Sequence, residues 1–424
     1  MADAEEVGGP APKKRRLGQK QRLALLDEAN ADALAAKQHS ALATFLLEQW
    51  AWGHISAQLV QQMASKAIED MQQDVPGQLQ RLGKLGGGYS NKMSADMMAS
   101  NKSSLCKPFL LHLPYKKKKA PLQKMLLPHE LFASIYEKYP DTFQNVLVGP
   151  PESLATFWST NISHPAMQGH PCLGDMSKKV PLAMHGDGVP IAGLGKIWSK
   201  TAWVYSWCSL LSDAATKDKQ FLIGMVWDTL QGPNTMEKFH TVIAWSFKYL
   251  QLGIWPLEDH EGKPHLLMHI RNLFFVARCH IHNYYAPLFQ HIPRYSAGTL
   301  GHQKKGKPLA GGWAGILFTL QGDMDYYSNV LKLPRWQNKK GCCIHCQADS
   351  EGVNGWKNFS QSAPWVSTSW NTENWRLYPN RSRCKLFEDI PGSTALLCSL
   401  DFMHNKYLGC DQYCFGSVML LLSK

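Results

Sequence analysis

The order of secondary structure predicted between residues 180 and 321 constrains the fold of this chain more than any other feature. Three strand-like runs come first, Val180–His185, Thr201–Leu211 and Phe221–Trp227, with the aromatic and β-branched residues that strands prefer. Their short connections contain glycine or charged residues, which favours an antiparallel meander. Apolar residues at helical spacing then predict a helix from about Thr235 to Leu250, and a fourth strand-like run follows at Ala314–Leu320.

This order predicts an α/β protein with an RNase H-like mixed sheet and flanking helices. The connection from the third strand to the fourth contains the predicted helix, whose stop signal is Gly253, and a second helical stretch at about His265–Ala277. Because such crossovers are nearly always right-handed, the fourth strand can lie parallel beside the first. The ends of two strands that are distant in sequence are then expected to meet.

A glycine followed by an aspartate stands at the end of the first run, in Met184–Gly188, and of the fourth, in Leu320–Asp325. We expect the backbone to turn sharply at each glycine and to bring Asp187 beside Asp323. Two carboxylates suit a hard cation such as Mg²⁺, and such a site suits phosphoryl transfer on nucleic acid. Asp187 could instead be a turn residue, since Asp-Gly is a strong hairpin signal, and Asp325 competes with Asp323 because strand alternation would point both the same way.

Soft metal ligands are dense at residues 342–346, which read Cys-Cys-Ile-His-Cys. Cys343 and Cys346 supply two of the four ligands that structural zinc usually takes. Zn²⁺ is therefore a second candidate cofactor, and buried reduced thiols are the alternative. Candidates for the remaining ligands are Cys384, Cys398, His404, Cys410 and Cys414.

These motifs together resemble the catalytic domain of CACTA-type (En/Spm-like) and Plavaka-like DDE transposases. The shared order, over roughly residues 180–415, is an Asp-Gly, a later Gly-Asp, a cysteine pair and an Asp-x-Met-His segment. Carried over by position, the resemblance implies that Asp187 and Asp323 are the first and second catalytic metal ligands. It also implies that Asp401 and His404 match the family's Asp-x-x-His signature, although a buried structural Asp–His hydrogen bond is the favoured interpretation of this pair.

The chain departs from the family pattern at two points. Ile344 and His345 stand between the cysteines, without the family's proline. No acid follows His404 at the place where the family has a glutamate on a later helix, and the apolar run Val418–Leu422 lies close to the last residue. We therefore expect residues 180–424 to be a catalytic domain that is incomplete at its C-terminus, or an inactive copy.

Four segments are predicted before this domain. Residues 1–20 are a basic disordered tail whose Lys13–Arg16 cluster is either a nuclear localisation signal or a solvated charge run. Residues 21–80 form a helical hairpin with a stop at Gly53 and an N-cap at Ser56, which is either a helix-turn-helix DNA reader or an ordinary αα-hairpin. Residues 81–105 are a flexible glycine-containing linker. Residues 106–179 are a connecting region with no motif.

Charge and composition bear on the partner and the compartment. Lys plus Arg outnumber Asp plus Glu by 45 to 33, and this net charge of +12 favours DNA as the partner. Eleven cysteines and the absence of an apolar leader favour a reduced compartment, for which the nucleus is the expectation. No apolar run is long enough to span a bilayer, so we expect a soluble protein without a membrane partner, and a homo-oligomer stays open. A solvated loop is an equally good interpretation of the cluster at residues 116–119. The candidate DNA contacts are Lys116, Lys117, Lys118, Lys119, Lys304, Lys305 and Lys307.

The leading hypothesis is a transposase. The resemblance implies Mg²⁺-dependent phosphodiester cleavage at a transposon end, followed by joining of the freed 3′-hydroxyl to target DNA. Two alternatives remain. One is a non-catalytic nuclear DNA-binding protein derived from such a transposase, and the other is a zinc-stabilised interaction module in which the aspartates are turn residues.

Overall fold

The structure of the 424-residue chain is a computed structural model. The chain forms two compact units, residues 1–104 and residues 105–424. Each unit is described by itself. The predicted helix at His265–Ala277 lies outside the described residues. The structure describes residues 40–51, 54–72, 75–84, 106–116, 122–192, 200–263, 303–335, 337–399 and 412–422.

The first unit contains three helices, α1 (Ala41–Ala51), α2 (Ala57–Met71) and α3 (Gly77–Gly83). Ser56 caps α2 as predicted, because its hydroxyl accepts a hydrogen bond from the Leu59 backbone N–H at 3.1 Å. The helices enclose a small apolar core, and the third helix was not predicted. The buried core residues are Ala43, Leu46, Ala57, Val60, Ala64, Leu79 and Leu82.

The polar side chains of α2 are partly used inside this unit. Gln61 Nε2 donates a hydrogen bond to the Gly83 carbonyl at 2.9 Å, and the Ser65 hydroxyl donates to the same oxygen at 3.1 Å. These bonds satisfy a carbonyl at the end of α3, where the last turn of a helix leaves acceptors without intrahelical partners. Gln61 therefore helps to hold α3 against α2.

A four-stranded mixed sheet forms the centre of the second unit. Its strands are β3 (Lys179–Ala192), β4 (Lys200–Ser209), β5 (Phe221–Trp227) and β6 (Ala314–Gln321), in the spatial order β5-β4-β3-β6. β4 pairs antiparallel with both β3 and β5, and β6 pairs parallel with β3. The predicted meander and the parallel fourth strand are both confirmed.

Helix α6 (Thr235–Leu252) lies in the connection from β5 to β6 and packs against one face of the sheet. It ends where the sequence predicted. Gly253 follows it with a φ of +66°, and its N–H bonds to the Leu250 and Tyr249 carbonyls. Leu250 packs at Gly315 of β6, where an added Cβ would lie 3.1 Å from Leu250 Cγ. The remaining strands and longer helices are β1 (Phe109–Leu111), β2 (Gln123–Met125), α4 (Pro128–Lys138), α5 (Ser153–Asn161), α7 (Thr372–Leu377) and α8 (Gln412–Leu422).

Short helical segments complete the described part of this unit. They are Pro140–Thr142, Phe143–Val148, Pro165–Met167, Thr216–Lys219, Asp228–Leu230, Tyr326–Val330, Pro364–Thr368, Lys385–Glu388 and Ala395–Leu397. Within the residues that the structure describes, no helix is both long enough and apolar enough to cross a membrane.

The two faces of the sheet differ in how they are covered. On one face the Tyr205 ring packs against Phe239 of α6, at a centroid distance of 5.2 Å, and Trp207 packs against Phe132 of α4, at 6.4 Å. Helix α4 comes from the region 106–179 for which the sequence predicted no role, and it belongs to the same compact unit as the sheet. On the other face Leu222 and Met225 of β5 are 48% and 41% exposed.

Candidate metal centre

The register between β3 and β6 places the two candidate aspartates at equivalent positions. His185 is paired with Gln321 in the parallel ladder, and Asp187 and Asp323 each lie two residues further along. The backbones are in contact there, because a Cβ added to Gly322 would lie 2.7 Å from the Gly186 carbonyl oxygen. The predicted convergence of the two Gly-Asp pairs is therefore present in the backbone.

The glycines have a different purpose from the one predicted. β3 does not turn at Gly186, and it continues through Asp187, which pairs with Val204, to Ala192. Both the sharp turn at Gly186 and the interpretation of Asp187 as a turn residue are therefore wrong.

A tyrosine ring explains why both positions are glycine. An added Cβ would lie 2.3 Å from Tyr326 Cζ at Gly186 and 2.4 Å from Tyr326 Cδ1 at Gly322. A side chain at either position would occupy the space of this fully buried ring. The two glycines therefore admit Tyr326 against both strands.

Asp323 also begins the helical segment that carries Tyr326. Its Oδ1 accepts a hydrogen bond from the Tyr326 backbone N–H at 2.6 Å, and its carbonyl accepts one from the Tyr327 N–H at 3.1 Å. This is the bonding of an N-cap residue, and it fixes the orientation of the carboxylate. The second carboxylate oxygen is not used by this cap.

Asp325 does not compete with Asp323 in the way that strand alternation suggested. β6 ends at Gln321, so neither aspartate lies in the strand and the alternation argument is wrong. Asp325 is exposed at the start of the helical segment, and its Oδ1 accepts a hydrogen bond from the side chain of Asn329. It lines a cleft that Asp187 and Asp323 do not line.

The residues present suit a hard cation but do not complete its site. Asp187 and Asp323 are both half-buried, and carboxylate oxygens are the donors that Mg²⁺ takes. Across the described ranges, however, no group of three or more His, Cys, Asp or Glu side chains could hold a metal ion. Asp401 and His404 lie outside the described residues, and α8 contains neither Asp nor Glu.

A cleft of about 830 Å³ lies on the face of the sheet that carries Trp203 and Tyr205. Sequence reasoning missed it, because its walls come from the start of β4, the start of α6 and two distant loop segments. Its charges are mixed, so it is not a simple anion site. The ionisable residues that line it include Asp228, Glu237, Asp325, Lys332, Arg381, Arg383 and Lys385.

A buried hydrogen-bonded group forms one wall of this cleft. His240 Nε2 lies 2.8 Å from the Tyr205 hydroxyl, and His240 Nδ1 lies 3.4 Å from Cys384 Sγ. Burial lowers the pKa of His240 to about 3 and raises the pKa of the Cys384 thiol to about 12. Both groups are neutral at pH 7, so the thiol is not activated as a nucleophile. Among the described residues, Cys384 belongs to no group of three or more His, Cys, Asp or Glu side chains that could hold a metal ion.

The cysteine cluster forms a small apolar group of its own, made of Cys342, Cys343, Cys346, Ala348 and Trp365. The Cys346 thiol donates a hydrogen bond to Cys343 Sγ, and chiefly for this reason the pKa of Cys343 falls to about 6. The same bond raises the pKa of Cys346. The two predicted ligands are therefore brought together as a pair.

The basic residues expected to contact DNA differ in their availability. Lys304 Nζ binds Glu137 at 2.8 Å and lies 4.6 Å from the centroid of the Trp255 ring. Lys116 and Lys307 are exposed, and Lys305 is half-buried. Lys117, Lys118 and Lys119 fall outside the described part of the chain.

Comparison of the chain with protein-family models, with curated proteins and with solved structures gave no match.

Proposed function

We propose that this chain is a transposase-like protein whose sheet is RNase H-like and whose substrate is DNA. The observation that carries the proposal is the parallel pairing of β3 with β6, which brings side by side two Gly-Asp pairs that lie far apart in the sequence. The strand order β5-β4-β3-β6, with only β6 parallel to its neighbour, supports the same fold. The net charge of +12 supports a polyanionic substrate.

In this proposal Asp187 and Asp323 hold Mg²⁺. The bound ion would supply Lewis-acid stabilisation of the phosphoryl oxygens and a nucleophile at neutral pH. The ladder pairing with Val204 fixes the backbone of Asp187, and the bond from the Tyr326 N–H fixes the carboxylate of Asp323. A carboxylate fixed as that of Asp323 is loses little conformational freedom on binding a cation or substrate. A third carboxylate would complete the set, and the transposase resemblance implies that it is a glutamate on a helix after the Asp-x-x-His segment.

Nicking of supercoiled plasmid by the purified full-length chain tests the proposal. We expect cleavage that requires Mg²⁺ and falls at least about 100-fold in Asp187→Asn and Asp323→Asn, since even outer-shell partners of metal ligands cost 10–100-fold. Asparagine keeps an oxygen that can accept the Tyr326 N–H bond, so Asp323→Asn removes charge while retaining the cap. Asp325→Asn is the matched control, and its activity should stay within about twofold, the range of an exposed substitution.

Binding of the cation is measured separately from cleavage. Mg²⁺ should raise the thermal unfolding midpoint of the wild-type chain, because a ligand that binds only the folded state stabilises it. Asp187→Asn should lose this rise. If cleavage persists in Asp187→Asn, or if Mg²⁺ stabilises that variant as much as wild type, the two-carboxylate site is wrong.

A second candidate is a non-catalytic, transposon-derived DNA-binding protein of the nucleus. The N-cap role of Asp323 favours this candidate. The hydrogen bond that its carboxylate accepts from the Tyr326 N–H gives this aspartate a structural role that needs no metal. This candidate predicts DNA binding that weakens steeply with salt and is unchanged by chelator or by Asp187→Asn. A zinc-stabilised module is the third, and it predicts zinc bound to the purified chain through Cys343 and Cys346.

A further inference from the structure

The cleft beside Trp203 has no part in the proposed metal chemistry or in the cysteine cluster. Its volume of about 830 Å³ lies in the range of sites that bind small ligands, about 300–1,000 Å³. Trp203 of β4 and Met236 of α6 line it, and both residues are half-buried. The cleft therefore offers a ligand an aromatic ring and apolar surface beside its charged residues.

Most of the basic residues of the cleft lie on the segment 381–385. Arg383 lies 3.8 Å from Glu388, which it shares with Arg381, and its side chain is 61% exposed. Lys385 lies 3.7 Å from Asp389. Neither Glu388 nor Asp389 lines the cleft. Guanidinium and ammonium groups carry more donors than these long contacts use, so both basic side chains can also donate to a ligand.

The acidic residues of the cleft do not pair with these bases. Asp228 and Glu237 are exposed, and Glu237 lies in the first turn of α6. Asp228 accepts a hydrogen bond from Gln231 Nε2 at 3.3 Å, and the third acid, Asp325, accepts one from the Asn329 side chain. Among the residues that line the cleft, no ion pair joins an acid to a base. The two signs of charge are therefore too far apart to neutralise each other.

A ligand that satisfies both sets of charges carries an anionic group, hydrogen-bond donors and a flat body between them. We propose that the cleft binds one nucleotide unit, whose base stacks on Trp203. Arg383 and Lys385 bind its phosphate through charge-assisted hydrogen bonds. Asp228 and Glu237 accept hydrogen bonds from the exocyclic amino group of the base, as carboxylates do from cytosine N4.

This arrangement predicts a preference among the bases. Thymine has no exocyclic amino group, so a cytosine nucleotide should bind about tenfold tighter than a thymine nucleotide. A free nucleotide and an unpaired nucleotide of a DNA strand present the same chemistry to the cleft. The second source rests on the proposed function, whereas binding of the free nucleotide does not.

Calorimetric titration of the full-length chain with dCMP, dTMP and deoxycytidine tests the site. The buffer contains a chelator, so the result does not depend on the proposed Mg²⁺ site. The wild-type chain should bind dCMP about tenfold tighter than dTMP and at least about fivefold tighter than deoxycytidine, which lacks the phosphate. A chain that binds dCMP in this way but does not nick DNA contradicts the proposed function alone.

Variants of the two sets of charges separate their contributions. The double variant Arg383→Ala, Lys385→Ala should bring the affinities for dCMP and deoxycytidine close together, and Asp228→Ala, Glu237→Ala should do the same for dCMP and dTMP. Lys263→Ala is the matched control, because Lys263 is exposed and does not line the cleft, and it should leave both ratios unchanged.

Photo-crosslinking locates the ligand without any variant. Iododeoxycytidine monophosphate irradiated with the wild-type chain should form an adduct in the tryptic peptide of residues 201–217, which contains Trp203. Duplex DNA with one unpaired terminal deoxycytidine distinguishes the two sources, since it should displace dCMP more strongly than a blunt duplex only if the cleft takes its nucleotide from DNA. The proposal is overturned if dCMP does not bind, if dCMP binds no tighter than deoxycytidine or dTMP, or if the adduct forms only in peptides that do not line the cleft.

Discussion

Alanine at Gly322 tests directly whether the two Gly-Asp pairs lie where the structure has them. The new Cβ would be 2.4 Å from Tyr326 Cδ1 and 2.7 Å from the Gly186 carbonyl oxygen. Ordinary van der Waals contact begins near about 3.4 Å, so the neighbours must move by roughly 1 Å. One of these neighbours is the backbone of a paired strand, which cannot rotate away as a side chain can.

The expected cost follows from overpacking in a close-packed interior. Adding a methyl group there costs about 1–3 kcal/mol, and the smaller backbone entropy of alanine in the unfolded chain returns about 0.4–1 kcal/mol to the variant. We therefore expect Gly322→Ala to reduce the free energy of unfolding by about 1 kcal/mol. Gly188→Ala is the matched control in β3, because its nearest contacts would be 3.4 Å from Thr201 and Trp203. It should be neutral or slightly stabilising.

Urea unfolding of the full-length chain measures these differences. If the Tyr326 ring causes the destabilisation, Gly322→Ala should cost less when Tyr326→Ala is also present. Direct contact at the other glycine should appear as a coupling energy of about 1–2 kcal/mol between Gly186→Ala and Tyr326→Ala. At Gly186 the three nearest atoms all belong to the Tyr326 side chain, with Cζ at 2.3 Å, so relief there should be the more complete. Equal stabilities of Gly322→Ala and Gly188→Ala would refute the reasoning, as would additive effects at Gly186 and Tyr326.

Three further predictions concern other parts of the chain. Burial lowers the pKa of His240 to about 3 from 6.5, so the unfolded chain takes up the proton before the folded chain as pH falls, and stability present above pH 6.5 is lost progressively towards pH 3. Between pH 7.5 and pH 5, urea unfolding should therefore show a loss of stability that is about 2 kcal/mol smaller in His240→Gln than in wild type. An equal loss in the two proteins contradicts this. Ser56→Ala should destabilise α2 by about 1 kcal/mol, seen as faster amide exchange in residues 57–71, whereas Ser56→Asp should retain the protection. Lys307→Ala should lower the salt dependence of DNA affinity by about one phosphate contact. Lys304→Ala should leave it unchanged, because Lys304 already pairs with Glu137. An equal change in salt dependence for the two variants contradicts this reasoning.

Local patterns were sufficient for the sheet and its crossover helix. Phe221–Trp227 is the strand that the sequence predicted, and the predicted helix from Thr235 begins at that residue and ends before Gly253. These elements are readable because each depends on residues close in sequence: β-branched and aromatic runs for strands, and helical spacing with a left-handed glycine for the helix end. The parallel placement of β6 followed from the handedness of crossovers.

The purpose of the glycines could not be read in the same way. Gly186 is extended within β3, and the reason for glycine there is the ring of a residue 140 positions later in the chain. Sequence offers only the local interpretation, a turn at Asp-Gly, which is a good rule for hairpins and is wrong here. The contribution of α4 was missed for a related reason: Phe132 is explained by its packing on Trp207, and neither residue indicates the other in the sequence.

The arrangement around Tyr326 unites the structural and chemical interpretations of the two aspartates. Its backbone N–H holds the Asp323 carboxylate, and its ring lies against the glycine that precedes each aspartate. One residue therefore sets the side chain of Asp323 and the backbone on which Asp187 is mounted. A helix cap alone requires Asp323 but gives no reason for Asp187 to stand at the equivalent position of the next strand. The proposed shared cation would require both carboxylates, so the proposal accounts for the pair, whereas the cap accounts for Asp323 alone.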